Sequence, residues 1–137
     1  MKKWMNYLAP FSIVGLIAIF IWNVATHGHI DHPGKFTYEK KCAGCHGDKG
    51  EGIETLIPPL YAADFAIQHF DSLPCIIKKG INRPIIVNGI AYEQPMYGVE
   101  ISQVELTNLI NFMARDFFSS EREVSSDWVK EQLKSCK

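Results

Sequence analysis

Two cysteines three residues apart, followed at once by a histidine, constrain this chain more than any other stretch: Cys42-Ala43-Gly44-Cys45-His46. At that spacing each thiol reaches one vinyl group of a haem, and the histidine ligates the iron from one side. The motif predicts a single haem c, covalent through Cys42 and Cys45, because Cys-x-x-Cys-His occurs once in the chain. A bare Cys-x-x-Cys also suits zinc or thiol–disulfide exchange. The exchange chemistry wants a βαβ pattern around the motif, and none is readable.

The N-terminus sets the compartment. Lys2 and Lys3 precede a charge-free run whose core, Tyr7 to Ala25, is almost wholly apolar. A helix of that length spans a bilayer at about 1.5 Å per residue. Trp4, Tyr7 and Trp22 sit near its ends, where amphipathic rings favour the interface. The lysines ahead of it place the N-terminus inside and the rest of the chain outside. Residues 1–26 are therefore expected to form a membrane anchor or uncleaved signal. A cleaved signal peptide is the competing reading, and Asn23-Val24-Ala25 is a poor site for cleavage. Residues 27–34 read as a linker, rich in Gly, His and Pro; His27, His29 and His32 with Asp31 are a candidate metal group there. Formal net charge is −1 over 137 residues, which excludes the basic surface of a nucleic-acid binder.

The following residues read as a helical domain over 35–118. Phe36 to Cys42 is a short helix leading into the motif. Leu56-Ile57-Pro58-Pro59-Leu60 is a stiff extended segment, because two prolines exclude a helix interior and a central strand. A ligating histidine needs its second ring nitrogen held, and a Pro58 carbonyl suits that role. Ala62 to Phe70 and Ser72 to Lys79 are helical, with Asp71 or Ser72 as cap, Pro74 in the first turn and Gly80 at the end. Pro84 to Tyr92 carries Asn88-Gly89 between apolar runs, the signature of a two-residue hairpin. That hairpin is expected to be the only β structure. Met96 lies in the loop after it; a thioether is a soft, neutral partner for iron opposite a histidine. The rivals are His69, which reads as a helix-end side chain, and Met113, which falls on a core face. Ser102 with Glu105 is a capping box opening a helix to about Phe118. Leu106, Leu109, Ile110, Phe112, Met113 and Phe117 form its apolar stripe. Residues 119–137 form an extension, with Ser125 or Ser126 capping a short last helix. Lys40, Lys41, Lys49, Lys78, Lys79 and Arg83 are a candidate basic rim.

Taken together, the aromatic helix before the motif, Pro58-Pro59-Leu60, the Met96 loop and the helix with Leu109 and Phe112 resemble the small monohaem cytochromes c of the soluble type, with His/Met ligation. Pro58-Pro59-Leu60 with Ala63-Asp64, Val87-Asn88-Gly89 and the tail after Ser125 give a narrower likeness, to the cytochrome c domains found beside bacterial copper nitrite reductases and related respiratory enzymes. The resemblance implies an all-α fold around one covalent haem, with His46 and Met96 on the iron, Pro58 holding His46 and Leu60 packing on the ring. Tyr97 departs from the pattern, where many relatives carry proline. Outside the cytoplasm Cys75 and Cys136 suit a disulfide. The function expected is electron transfer without catalysis: a carrier tethered to the bacterial cytoplasmic membrane by a single span, its haem domain in the periplasm. Its partners would be an oxidase, a reductase or a quinol-oxidising complex. The alternatives are a haem enzyme or gas sensor with a labile sixth ligand, and a fixed cytochrome subunit of a larger respiratory complex.

Overall fold

The computed structural model describes residues 13–22 and 32–136. Two units are distinct, Met1–Asp31 and His32–Lys137. In the first, residues 13–22 are helical and expose their apolar side chains, from Ile13 to Trp22. Among the described residues no helix is long and apolar enough to cross a membrane. The remainder of the expected anchor, and His27, His29 and Asp31, lie outside the described residues.

The second unit is mostly helical. Helix α1 (Pro33–Lys41) starts three residues before the sequence reading put it. Proline at its first turn is pre-set for helical φ, and the His32 side chain accepts from the Gly34 N–H at 3.4 Å, which satisfies one orphan donor. The chain kinks at Cys42 into α2 (Ala43–His46). After a loop come α3 (Asp64–Gln68), a 3-10 turn (Phe70–Ser72) and α4 (Leu73–Lys79). Ser72 occupies the cap position of α4 without a side-chain cap bond, and Pro74 supplies the start signal.

Four short strands follow: β1 (Gly80–Ile81), β2 (Ile85–Val87), β3 (Ile90–Tyr92) and β4 (Met96–Tyr97). β2 and β3 form the expected hairpin, with Val87 opposite Ile90 and both turn residues at positive φ (Asn88 51°, Gly89 80°). The expectation of one hairpin is incomplete, because β1 and β4 make a second antiparallel pair, Gly80 opposite Tyr97 and Ile81 opposite Met96. Strands of two residues carry no readable period; only their long-range pairing defines them.

Helix α5 (Gln103–Asp116) has the expected capping box, the Ser102 Oγ accepting from Glu105 N–H at 3.3 Å and the Glu105 carboxylate accepting from Ser102 N–H at 2.9 Å. Its stripe is the core: Leu106, Leu109 and Ile110 are fully buried, and Phe112, Met113 and Phe117 nearly so. Tyr38 of α1 packs edge-on against Phe117, ring centroids 4.9 Å apart, and tilted against Phe112. Helix α6 (Ser126–Lys134) is capped by the Ser125 Oγ, which accepts from Trp128 N–H. It closes the unit with Val129 inward. Arg122 lies over the rings of Phe70 and Trp128 and pairs with Asp71 at 2.7 Å.

The α5 cap sets two expectations. Ser102→Ala should cost about 1 kcal/mol of unfolding free energy in denaturant titration at neutral pH. The Glu105 carboxyl is held below its ordinary range, first by the Ser102 backbone N–H. A depressed carboxylate stabilises above its unfolded pKa and loses that contribution as pH falls through the folded one. The wild type's advantage over Glu105→Gln should therefore fade in acid.

Candidate functional site: an apolar cavity around His46

A cavity of about 270 Å³ opens between α2, the Pro58-Pro59 segment, α3, α4 and the strands. All six residues singled out from the sequence line it: Cys42, Cys45, His46, Pro58, Leu60 and Met96. The rest of the wall is mostly apolar, with Val87, Phe65 and Leu73 typical and Lys41, Arg83 and Gln94 the polar exceptions. Met96 is half-buried on β4, whereas Tyr97 beside it is 83% exposed.

His46 closes α2 and is buried at 8% exposure. The following loop returns on itself: Gly52 N–H donates to the His46 carbonyl at 2.8 Å, and Ile53 bridges Ile57. That return sets the Pro58 carbonyl 3.0 Å from His46 Nδ1. A carbonyl only accepts, so Nδ1 carries the proton and Nε2 keeps its lone pair. Burial pushes the imidazole below its ordinary pKa, with the Pro58 bond acting against that. The ring is therefore neutral at pH 7, the form that binds metal. Burial likewise pushes the Cys42 thiol up to about 11, Lys41 pulling the other way. Cys42 is half-buried and Cys45 exposed, both as free thiols.

His69 is outside this cavity's wall. It stacks on Phe65 at 4.3 Å and donates Nδ1–H to the Phe65 carbonyl, as a helix-end side chain should. Met113 is buried in the α5 core. Three lysines of the candidate basic rim are spent on carbonyls: Lys41 on Glu100, Lys78 on Ile101 and Lys79 on Cys136.

Two fixtures of the wall escaped the sequence reading. Asp64 and Asn88 exchange hydrogen bonds, Asn88 N–H to Asp64 Oδ1 at 2.7 Å and Asp64 N–H to Asn88 Oδ1 at 3.0 Å, which docks the hairpin on α3. Tyr92 donates its hydroxyl to the Glu54 carbonyl at 3.1 Å, tying the hairpin to the loop before Pro58. Both join residues 24 or more apart, so no local pattern announces them.

The family described as cytochrome c oxidase, cbb3-type, subunit III matches residues 31–113, more than half of the chain. No curated protein matches it. The match overturns the likeness to soluble-type monohaem cytochromes, since the matched family is typically of membrane-integral, di-haem cytochromes. It also overturns the expectation of one haem c held covalently through Cys42 and Cys45. The bonded cysteines are Cys75 and Cys136, Cα atoms 5.5 Å apart, and the family's di-haem character removes the inference from one motif to one haem. No group of three or more His, Cys, Asp or Glu that could hold a metal ion occurs among the described residues.

The coarse function follows. The chain is a haem-binding redox subunit associated with a respiratory oxidase, a membrane-associated bacterial protein that passes electrons and performs no catalysis of its own. By the extent of that match, the chain belongs to the cbb3-type cytochrome c oxidase subunit III family.

Proposed function

We propose that the cavity seats a haem whose iron is ligated by His46 and Met96, in a subunit fixed within its oxidase. The observation that carries this reading is the His46 Nδ1–H to Pro58 carbonyl bond, set in an apolar cavity that Met96 also lines. The donor set fits the group: a neutral imidazole with a free lone pair and a neutral, soft thioether are the pair that holds a redox haem. Such a group, when bound, supplies one-electron exchange. The chain's own residues do the remainder. Pro58 fixes the tautomer and orientation of His46. Leu60 and the apolar wall exclude water, and Cys42 and Cys45 stand beside His46 at the cavity's edge.

The finer placement rests on the sequence. Residues 1–26 anchor the chain in the cytoplasmic membrane, with a linker from residue 27 up to the start of α1. The helical domain, from α1 to residue 118, and its extension of 119–137 lie on the periplasmic face, the side opposite Lys2 and Lys3. The tether and the family together favour a fixed subunit over a carrier that exchanges between partners.

Affinity purification of the tagged full-length chain from membranes in mild detergent tests this. Other haem-bearing oxidase subunits should co-elute with it at a constant ratio through size exclusion. Recovery of the haem-loaded chain alone, with oxidase activity in a separate fraction, would overturn the fixed-subunit reading.

A further inference from the structure

The Cys75–Cys136 disulfide does more than tie down a tail. It ends on α4, a helix with two duties. Leu73 and Ile76 of α4 line the cavity. Its C-terminal end carries the segment that holds Met96. Gly80, immediately after α4, pairs with Tyr97, and Ile81 pairs with Met96. Val99 N–H donates to the Ile77 carbonyl at 2.8 Å. Gly80 sits at φ 84°, and a Cβ there would run into the Met96 carbonyl and come within 2.8 Å of Gly98 N. Residues 96–99 are thus laced onto residues 77–81, with no slack for α4 to shift without moving Met96.

On its other side α4 is held by the tail. The disulfide joins Cys75 to Cys136, and Lys79 Nζ donates to the Cys136 carbonyl at 2.9 Å. The two links are one helical turn apart on α4, so they restrain its rotation as well as its position. Cys136 lies beyond residues 31–113, the stretch that matches the family. The second half of the disulfide comes from the extension.

We propose that the Cys75–Cys136 bridge, with Lys79, is a clamp that positions Met96 through α4 and β1 and so holds it on the iron. The proposal rests on the reading of Met96 as ligand. Cys75, Cys136 and Lys79 are positioning residues; none of the three lines the cavity. A protein segment opens locally when few contacts hold it, and β4 has only two residues in its ladder. Backing that ladder with a covalent link slows the opening by which Met96 leaves.

The test uses the full-length holoprotein in mild detergent, oxidised, at a temperature well below unfolding. The probe is imidazole, which replaces a methionine ligand only after it departs. The readouts are the weak long-wavelength band of an iron–methionine bond and the rate at which imidazole abolishes it. Cys75→Ala with Cys136→Ala should retain the band and far-UV dichroism but exchange about tenfold faster. Lys79→Met should fall between that variant and wild type. Val129→Ala, which loosens α6 with the disulfide intact, should lower the melting temperature and leave the exchange rate at the wild-type value. An unchanged rate in the double variant overturns the clamp, as does an equal acceleration in Val129→Ala, which would reduce the bridge to general stability. Absence of the iron–methionine band from wild type overturns the ligand reading itself, and the clamp with it. A wild-type band with an unchanged double variant defeats the clamp alone.

Discussion

On the proposed ligation, the reduced Met96→Ala variant should bind carbon monoxide promptly at neutral pH, and the wild type should not. The variant would remove the proposed thioether ligand while leaving His46 held by Pro58. The control is Met113→Ala. Met113 is 3% exposed in the α5 core, and its truncation should cost about 2–5 kcal/mol of stability without admitting carbon monoxide. Spectra of the three reduced proteins with and without the gas decide the matter. A wild type that takes up carbon monoxide as fast as Met96→Ala would remove Met96 from the iron and favour a labile sixth position.

Gly34→Ala should destabilise the second unit by about 2–3 kcal/mol, measured by chemical denaturation. Two effects oppose each other. Alanine is the better helix former by about 1 kcal/mol at an interior position. Against this, a Cβ at Gly34 would overlap the Asn108 carbonyl oxygen and lie 2.6 Å from the Phe112 Cβ. The Asn108 carbonyl is backbone of a buried helix and cannot swing aside as a side-chain tip would. α1 and α5 must separate, and that opens the Tyr38–Phe112–Phe117 cluster between them. The steric term is the larger. A gain of stability would mean that the two helices part at little cost.

Gly34 shows where sequence reading stops. Its neighbours Pro33 and His32 suggested a linker, and glycine there reads as flexible chain. In the folded unit the α5 backbone passes so near that a Cβ there would overlap the Asn108 carbonyl. The difference arises because crossing geometry depends on a partner about seventy residues away, about which the local sequence is silent. The second strand pair was hidden for the same reason. The capping box, the Asn88-Gly89 turn and the α5 stripe were legible because each is made by residues within a few positions of one another.

The family assignment carries a similar lesson. The pentapeptide, the Pro-Pro segment and the methionine loop resembled the soluble monohaem proteins, whereas the chain belongs to a membrane-bound oxidase family. Short motifs around a haem answer to the haem's chemistry, which both groups share. They say little of the number of haems or of the assembly.

The sequence by itself determined the chemical vocabulary: a histidine beside two thiols, a proline carbonyl for it, a methionine in a loop, and helices whose ends and faces are written locally. Only the tertiary structure decided that these residues line one cavity and that α4 links the Cys75–Cys136 bridge, already expected from the sequence, to the Met96 strand. Caps, turns and periodic stripes are short-range and survive in any short segment. Cavities and clamps exist only when distant segments are packed at fixed distances, and packing is a property of the whole chain.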